Sequence, residues 1–527
     1  MKFLGAIEVD QIQKMIFETD KLKEMIGASR LVEDTITHVK NELDKDEYNK
    51  AVELFWPVSG VFKMISGDKD KLAECLWNIK NDFYSKMGLS SIACMVSFDD
   101  SGDDFGEAWQ NLEKNMRVQK DSKQGENGLP SLPYFAQCRL IPGRFANYWY
   151  PSYKNDEQKK RRALLSREAN FRKPLEKGLP CIEEIIDEFN MRHPNDLDDL
   201  TIRNASDSYV AFIKADGDGL GKILSGLNWE TISWEHAPSE SHKKAFEFSK
   251  QLQTVFLKSL KEAIKMVVQP ESKAVMPIAP ILMGGEDMWL LCRRDKAFPL
   301  IKNIGEIFSQ KAANHPIIQN ALNTLKNPDA LTLSFGVLFA QKGYPFYNQA
   351  DLVKELLRLS KAYRKTLAVK QGCVDFHWLE ASSRDSIEFY RKNGYRYKDK
   401  DNSKTFVLYS RPWTIEELGD VLEAVTELKI ISSRKMHQLR QILRSGDVLS
   451  VAMMHHWWTQ LEEVEQQAWN TCVSKLPDRI KPGTLLLNKS LKDFQGFWNN
   501  SNVQKNVMIS CIIDMIEMLK ILDNPNK

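Results

Sequence analysis

The chain has 527 residues, too many for one hydrophobic core, so about three or four domains are expected. Its 73 basic and 71 acidic residues almost balance, and this gives no argument from overall charge for a nucleic-acid-binding protein. The cysteines are scattered without a C-x-x-C pair, and the N-terminus does not have the pattern of a signal peptide. No apolar run approaches the ~20 residues of a membrane span. We therefore expect a cytoplasmic protein.

Residues 1–120 carry a pattern of strands and helices typical of a palm domain. A strand is predicted at FLGAIEVD (3–10), an amphipathic helix follows, a hairpin is predicted at LFWPV-SG-VFKMI (54–65), and a further strand at SSIACMVSF (90–98). This is the β-α-β-β-α-β order of the ferredoxin-like palms of polymerases and cyclases. The next segment, residues 121–205, is loop-rich and basic, and we interpret it as an insert or linker.

Residues 206–385 repeat this order and extend it by one helix and one strand. The predicted elements are a strand YVAFIKA (209–215) ending at Asp216, a helix that starts within Gly219–Leu227, a longer helix around 248–260, a hairpin ILM-GGED-MWLLC (281–292), a helix near 297–312, a strand LTLSFGVLFA (331–340), a helix over 350–368 and a strand CVDFHWL (373–379). The chain is therefore predicted to contain a duplicated palm.

Only the second copy keeps acidic residues in its hairpin. In the comparison of the two copies, Asp10 matches Asp216, while Val61 and Phe62 take the positions of Glu286 and Asp287. The first palm is therefore predicted to be degenerate and catalytically silent.

Residues 386–527 read as a series of helices after a charged connector, and we predict an all-α C-terminal domain. The predicted fold class is accordingly α+β: two ferredoxin-like polymerase/cyclase palms, the first degenerate and the second active, with an insert between them and helices at the end.

The second palm carries the residue types that nucleotidyl transfer requires. That reaction joins a hydroxyl to an α-phosphate, and the growing charge is usually neutralised by two divalent ions about 4 Å apart. Hard ions such as Mg²⁺ or Mn²⁺ prefer carboxylate oxygens on rigid elements. Asp216 at a strand end and Glu286 and Asp287 after the hairpin turn are predicted to converge, so these three are our candidate catalytic and metal-binding residues.

Further residues are candidates for binding the nucleotide. Glycines permit positive φ and leave room for a ligand against the backbone, and turn amides can cradle phosphates. Asp218 serves either as a metal ligand or only as a turn residue, and Lys361 could equally be a solvated helix residue. The candidates are Gly217, Asp218, Gly219, Gly221, Gly284, Gly285, Ser334, Lys361 and Arg364, with Lys361 and Arg364 assigned to the β- and γ-phosphates.

These residues resemble a known family, the large palm-containing subunit of type III CRISPR–Cas effector complexes, in a III-B-like form without the HD nuclease domain. The resemblance extends over nearly the whole chain. It is carried by IFETDKLKEMIGASRLVED (16–34), HPNDLDDL (193–200), YVAFIKADGDGLGK, MGGEDMW, SFGV (334–337), LLRLSKAYRK (356–365) and SSRKMHQLRQIL (432–443).

The resemblance implies that the protein converts ATP into cyclic oligoadenylate second messengers when the guide RNA of its complex pairs with target RNA. Asp216, Glu286 and Asp287 would hold Mg²⁺ or Mn²⁺, and the partners would be the other complex subunits, crRNA and target RNA. No His-Asp dipeptide occurs, so no HD-type DNase activity is predicted. The family's zinc-binding cysteines are also reduced here to Cys138 and the distant Cys181, and we do not expect a zinc site.

The hairpin reads Gly-Gly-Glu-Asp where the family usually has Gly-Gly-Asp-Asp. Glutamate keeps the charge but is longer by a methylene, which leaves open a different product, such as AMP joined to a small-molecule acceptor. Two other functions remain as alternatives. A diguanylate-type cyclase has a similar hairpin but normally a single palm, and a non-catalytic scaffold would not need the retained carboxylates.

Overall fold

The computed structural model describes the greater part of the chain. The described residues are 1–58, 60–99, 104–122, 148–151, 162–165, 179–202, 208–229, 231–234, 240–284, 287–325, 330–380, 385–398, 405–444, 447–480, 499–500 and 507–522. No helix within these ranges combines the length and the apolar composition needed to cross a membrane.

The first palm has the predicted ferredoxin-like order. Its elements are β1 (Lys2–Val9), α1 (Ile12–Phe17), α2 (Leu22–Leu43), β2 (Val52–Val58), β3 (Val61–Ser66), α3 (Lys69–Met87), β4 (Ser91–Phe98) and α4 (Asp104–Ser122). The sheet order is β2-β3-β1-β4, and all neighbouring strands run antiparallel. The Asp68 side chain caps α3 by accepting hydrogen bonds from the amides of Asp70 and Lys71.

Between the palms the structure describes short pieces of the insert. These are the hairpin β5 (Tyr148–Pro151) and β6 (Arg162–Leu165), the helix α5 (Pro180–Glu188) and a 3₁₀ turn (Asp198–Leu200). Cys138 lies outside the described residues. Cys181 is partly buried, and burial raises the pKa of its thiol to about 12.

The second palm repeats the arrangement with longer strands. Its elements are β7 (Tyr209–Gly217), α6 (Leu220–Gly226), α7 (Ser241–Val267), β8 (Ile278–Gly284), β9 (Asp287–Arg293), α8 (Arg294–Asn314), α9 (Pro316–Leu322), β10 (Leu333–Gln341), α10 (Phe346–Thr366) and β11 (Cys373–Trp378). The order β10-β7-β9-β8 matches the first palm, and β11 extends the sheet parallel to β10 after the α10 crossover. Both faces of β7 are buried, which explains the apolar run from Tyr209 to Ile213.

Helix α10 lies unusually close to the sheet at Gly336 of β10. A Cβ atom at that position would lie 2.5 Å from both the Leu357 nitrogen and the Val353 oxygen. Only glycine allows this approach without displacing the helix. The contact fixes how far α10 stands from the strands that end at the candidate site.

The C-terminal region is mainly helical, as predicted, and also contains short strands that the sequence did not reveal. Its elements are α11 (Ile387–Gly394), β12 (Arg396–Lys398), β13 (Thr405–Val407), β14 (Trp413–Thr414), α12 (Ile415–Glu427), α13 (Ser433–Arg444), α14 (Asp447–Thr459), α15 (Glu463–Lys475), β15 (Asn499–Asn500), β16 (Val507–Ile509) and α16 (Ile512–Leu522). Strands β12, β13, β16 and β15 form a separate sheet, while β14 pairs with β11 of the second palm. Runs of two or three residues show no periodicity, so they are invisible to pattern analysis.

The two palms share a hydrophobic core. Phe17 at the end of α1 is buried against the second palm, with its ring centroid 5.3 Å from that of Phe212 and 4.8 Å from that of Trp289. Ile16, Leu22 and further apolar residues of α2 belong to the same cluster. The degenerate palm is therefore packed directly on the sheet that carries the candidate site.

Candidate active site in the second palm

Two of the predicted carboxylates meet across adjacent strands. Asp216, near the end of β7, stands directly opposite Asp287, the first residue of β9. Residues paired in this way project from the same face of a sheet, with Cβ atoms about 4.5–5.5 Å apart. Gly285 and Glu286 lie outside the described residues, so the third carboxylate stays a prediction. Gly284, the last residue of β8, pairs with Asp287 at the turn.

Each of these carboxylates is paired with a lysine. Lys361 Nζ on α10 lies 2.5 Å from Asp216 Oδ2 and also donates to the Gly217 carbonyl at 3.0 Å. Lys214 Nζ on β7 lies 2.7 Å from Asp287 Oδ1. Burial raises the pKa of the Asp287 carboxyl, and Lys214 opposes that rise. The site thus contains two carboxylates, each already bound to the positively charged ammonium group of a lysine.

Lys214 was not among the predicted site residues. It precedes Asp216 by two positions on β7, and alternate residues of a strand share a face, so its spacing could have identified it. Its ammonium group also lies 4.5 Å from the centre of the Trp289 ring, a cation–π contact. A strand lysine of this kind is easily dismissed as solvated, but this one is largely buried.

A residue of the first palm also reaches the site. Gln13 Nε2 of α1 donates to Asp287 Oδ2 at 3.2 Å, across 274 residues of sequence. No motif marks Gln13, because the contact depends on how the palms pack together. Both oxygens of Asp287 therefore have a donor, one from each palm.

Asp218, Ser334 and Arg364 form a buried network behind the site. Asp218 is only 2% exposed, and its Oδ2 accepts from Thr332 Oγ1 at 2.7 Å and from Ser334 Oγ at 3.0 Å. Arg364 Nε lies 3.3 Å from the same oxygen, and Arg364 also donates to the Ala330 carbonyl. Burial raises the pKa of Asp218, against the opposing effect of these partners.

This network gives the three residues a structural role, and the binding roles predicted for them stay predictions. Arg364 was assigned to a phosphate, Ser334 to a nucleotide contact and Asp218 to the metal or a turn. In the structure their polar groups pair with one another: Arg364, in the last turn of α10, donates to Thr332 Oγ1 and lies 3.3 Å from Asp218 Oδ2. They support the loop that follows Asp216.

The glycine-rich loop leaves open space. Gly217 ends β7, and Gly219 has a φ of 74°, a left-handed conformation that favours glycine. A Cβ atom at Gly219 or at Gly221 would meet no atom within 4 Å. The space beside the loop is compatible with a ligand. Lys361 lies next to the loop, where its ammonium group donates to the Gly217 carbonyl.

Among the described residues, His, Cys, Asp and Glu side chains do not form a group of three suited to a metal ion. The pair of Asp216 and Asp287 fits Mg²⁺ or Mn²⁺ in the chemistry of its oxygens and in its attraction for positive charge. The predicted third ligand, Glu286, would follow the hairpin turn directly before Asp287.

The corresponding positions of the first palm lack this pair. Phe62 faces Ile7, and Val61 faces Glu8, whose carboxylate binds Lys120. These registers show that matching Asp10 to Asp216 and Phe62 to Asp287 cannot both hold, since Phe62 stands opposite Ile7 rather than Asp10. Short apolar runs resemble one another at several offsets, and sequence comparison alone does not fix the offset.

Comparison with known proteins identifies the domain. The family model described as Cas10/Cmr2, second palm domain, matches residues 209–368. No curated protein matched the chain.

Solved structures share the fold over most of the chain. A crystal structure of Csm1 from T. onnurineus is 14% identical, with a TM-score of 0.52 over 90% of this chain and 67% of that one. A Csm1–Csm4 cassette in complex with pppApA is 12% identical, with a TM-score of 0.50 over 90% and 69%. A Csm1–Csm4 cassette in complex with cA4 is 13% identical, with a TM-score of 0.50 over 90% and 67%. Residues 209–368 thus match the Cas10/Cmr2 second palm domain, and the chain as a whole shares its fold with Csm1 structures.

Proposed function

We propose that the second palm is a metal-dependent nucleotidyltransferase that joins ATP into cyclic oligoadenylate when the protein's type III CRISPR complex binds target RNA. The observation that carries the proposal is the facing pair of Asp216 and Asp287 on β7 and β9, each held by a lysine. The family match to this domain and the oligoadenylate ligands of similarly folded cassettes support it.

Asp216 and Asp287, with the predicted Glu286, would hold Mg²⁺ or Mn²⁺. When bound, such ions neutralise the charge that develops on the phosphate oxygens and orient the attacking hydroxyl. The protein's own part is to hold the carboxylates on rigid strands and to exclude alternative poses of the triphosphate. Lys361 is the cation best placed to exchange a carboxylate for a phosphate, because its side chain is 28% exposed, against 10% for Lys214.

The assembly follows from the same proposal. Similarly folded proteins are seen in cassettes with Csm4. We propose that this chain likewise acts in the cytoplasm with other subunits of the complex, with crRNA and with target RNA. The first palm, which lacks the facing carboxylates, would contribute binding surface rather than metal ligands.

The test reconstitutes the protein with its crRNA-bearing partners and cognate target RNA, adds ATP with Mg²⁺ or Mn²⁺, and identifies the products by mass spectrometry. We expect oligoadenylate, linear or cyclic, which the double variant Glu286→Ala with Asp287→Ala no longer makes although it assembles normally. Val61→Ala in the hairpin of the first palm is the matched control and should keep the activity.

Other results would redirect the assignment. ATP consumption that requires an added small-molecule pool would indicate an AMP conjugate, and consumption of GTP in place of ATP would indicate a diguanylate-type cyclase. Product from the double variant would refute the site. No turnover under any condition would favour a scaffold.

A further inference from the structure

Helix α1 of the first palm is anchored from both sides. Phe17 packs on Phe212 and Trp289 of the second palm at 5.3 Å and 4.8 Å between ring centres. On the other side, Gly60, in the degenerate hairpin, has a φ of 80°, and a Cβ atom there would lie 2.9 Å from Ile12 Cδ1. The helix is therefore held between the hairpin of the silent palm and the catalytic sheet.

Gln13 lies on the same side of α1 as Phe17, since residues four apart on a helix are neighbours. Its amide nitrogen lies 3.2 Å from Asp287 Oδ2. A carboxylate only accepts hydrogen bonds, so the amide nitrogen rather than the amide oxygen must face it. The anchored helix α1 thus places the Gln13 amide as a hydrogen-bond donor to Oδ2 of Asp287, a candidate metal ligand.

The contacts around Asp287 form a closed ring of neighbouring residues. Asp287 Oδ1 accepts from Lys214 at 2.7 Å, Lys214 lies 4.5 Å from the ring of Trp289, and Trp289 packs against Phe17. Gln13, on the same helix as Phe17, completes the ring by donating to Asp287. Asp287 is therefore oriented by two donors whose positions depend on the same aromatic cluster.

We infer that Gln13 is a positioning residue for the second palm: it fixes the carboxylate of Asp287 in the orientation that a divalent ion requires. This inference rests on the proposed function, because it takes Asp287 as a metal ligand. It gives the silent palm a defined contribution to the neighbouring site. Groups that hydrogen-bond to metal ligands typically change metal affinity about 10- to 100-fold when removed.

The test measures Mn²⁺ binding to the full-length protein without nucleotide, by calorimetry or by the loss of the free-ion paramagnetic resonance signal. Gln13→Met keeps the length and packing of the side chain but removes the donor, and we expect Mn²⁺ affinity to fall about tenfold. Lys14→Ala, an exposed neighbour on α1, is the matched control and should leave affinity unchanged. Asp287→Asn identifies the site and should abolish the measured binding.

The outcomes separate this inference from the proposed function. If the wild type binds Mn²⁺ and Gln13→Met binds it equally well, the positioning role is refuted while the metal site stands. If Gln13→Met lowers only the thermal midpoint, the residue is a structural tether and the inference is wrong. If the wild type binds no Mn²⁺, the inference falls together with the metal site on which it rests.

Discussion

The ammonium nitrogen of Lys361 lies 2.5 Å from a carboxylate oxygen of Asp216, bridging the gap between α10 and the end of β7. Lys214 makes the equivalent contact with Asp287 from within β7. Both facing carboxylates are thus neutralised by the protein's own cations. A divalent ion that binds here has to compete with these lysines, and the more exposed Lys361 gives way more readily.

We predict that Lys361→Met separates nucleotide binding from metal binding. Loss of a charge-assisted contact to a phosphate weakens binding by about 1.5–3 kcal/mol, so the KM for ATP should rise at least about tenfold. Affinity for Mn²⁺ without nucleotide should not fall, because a competing cation has been removed from Asp216. Lys365→Met, exposed on the same helix, is the control, and steady-state kinetics with calorimetry provide both readings. A fall in Mn²⁺ affinity would contradict this account.

The buried pair of Asp218 and Arg364 should stabilise the strand end behind the site. Removing one partner of a buried ion pair costs about 3–5 kcal/mol, because the other charge is left uncompensated. For Arg364→Met we therefore expect amides of β7 and β10 near Asp218 to exchange hydrogen for deuterium about a hundredfold faster or more. The double variant with Asp218→Asn should cost less than the sum of the two single variants. Equal exchange in Arg364→Met and wild type would show that the pair is dispensable.

The sequence predicted the parts of the site that depend on local pattern. The facing of Asp216 and Asp287 could be expected, because a strand ending in Asp and a hairpin with Glu-Asp meet in a palm. The partner that Asp287 receives from the other palm, Gln13, could not be expected, and neither could the pairing of Arg364 with Asp218 at the end of α10. Contacts set by domain packing leave no periodic signal.

Gly336→Ala should disturb α10 and through it Lys361. The new Cβ would lie 2.5 Å from backbone atoms of Leu357 and Val353, which cannot move aside as a flexible side chain can. Overpacking of this kind destabilises a protein by about 1–3 kcal/mol. We expect a lower thermal midpoint and weaker ATP binding. Gly343→Ala, where the added atom meets nothing within 4 Å, is the control and should behave as wild type. An unchanged midpoint in Gly336→Ala would mean that the helix and sheet adjust freely.

Asp514 of α16 should make the stability of the C-terminal region depend on pH. Burial raises its pKa from 3.8 to about 6, although Arg411 and Ser410 oppose the rise, and the nearby Glu517 adds to it. The folded state therefore binds this proton more tightly than the unfolded chain. The stability that protonation contributes is complete below the unfolded pKa and is lost as the pH rises through the folded pKa.

At about 1.4 kcal/mol for each unit of pKa shift, the stability at stake is on the order of 3 kcal/mol. Asp514→Asn removes the titration, so its thermal midpoint relative to wild type should rise between pH ~4 and pH ~7. Glu388→Gln, an exposed carboxylate on α11, should show a constant difference over the same range. If the thermal midpoint of Asp514→Asn relative to wild type stays constant or falls over this pH range, Arg411 keeps the Asp514 carboxylate ionised throughout. The stability of this buried site would then come from the ion pair of Asp514 and Arg411 rather than from protonation of Asp514.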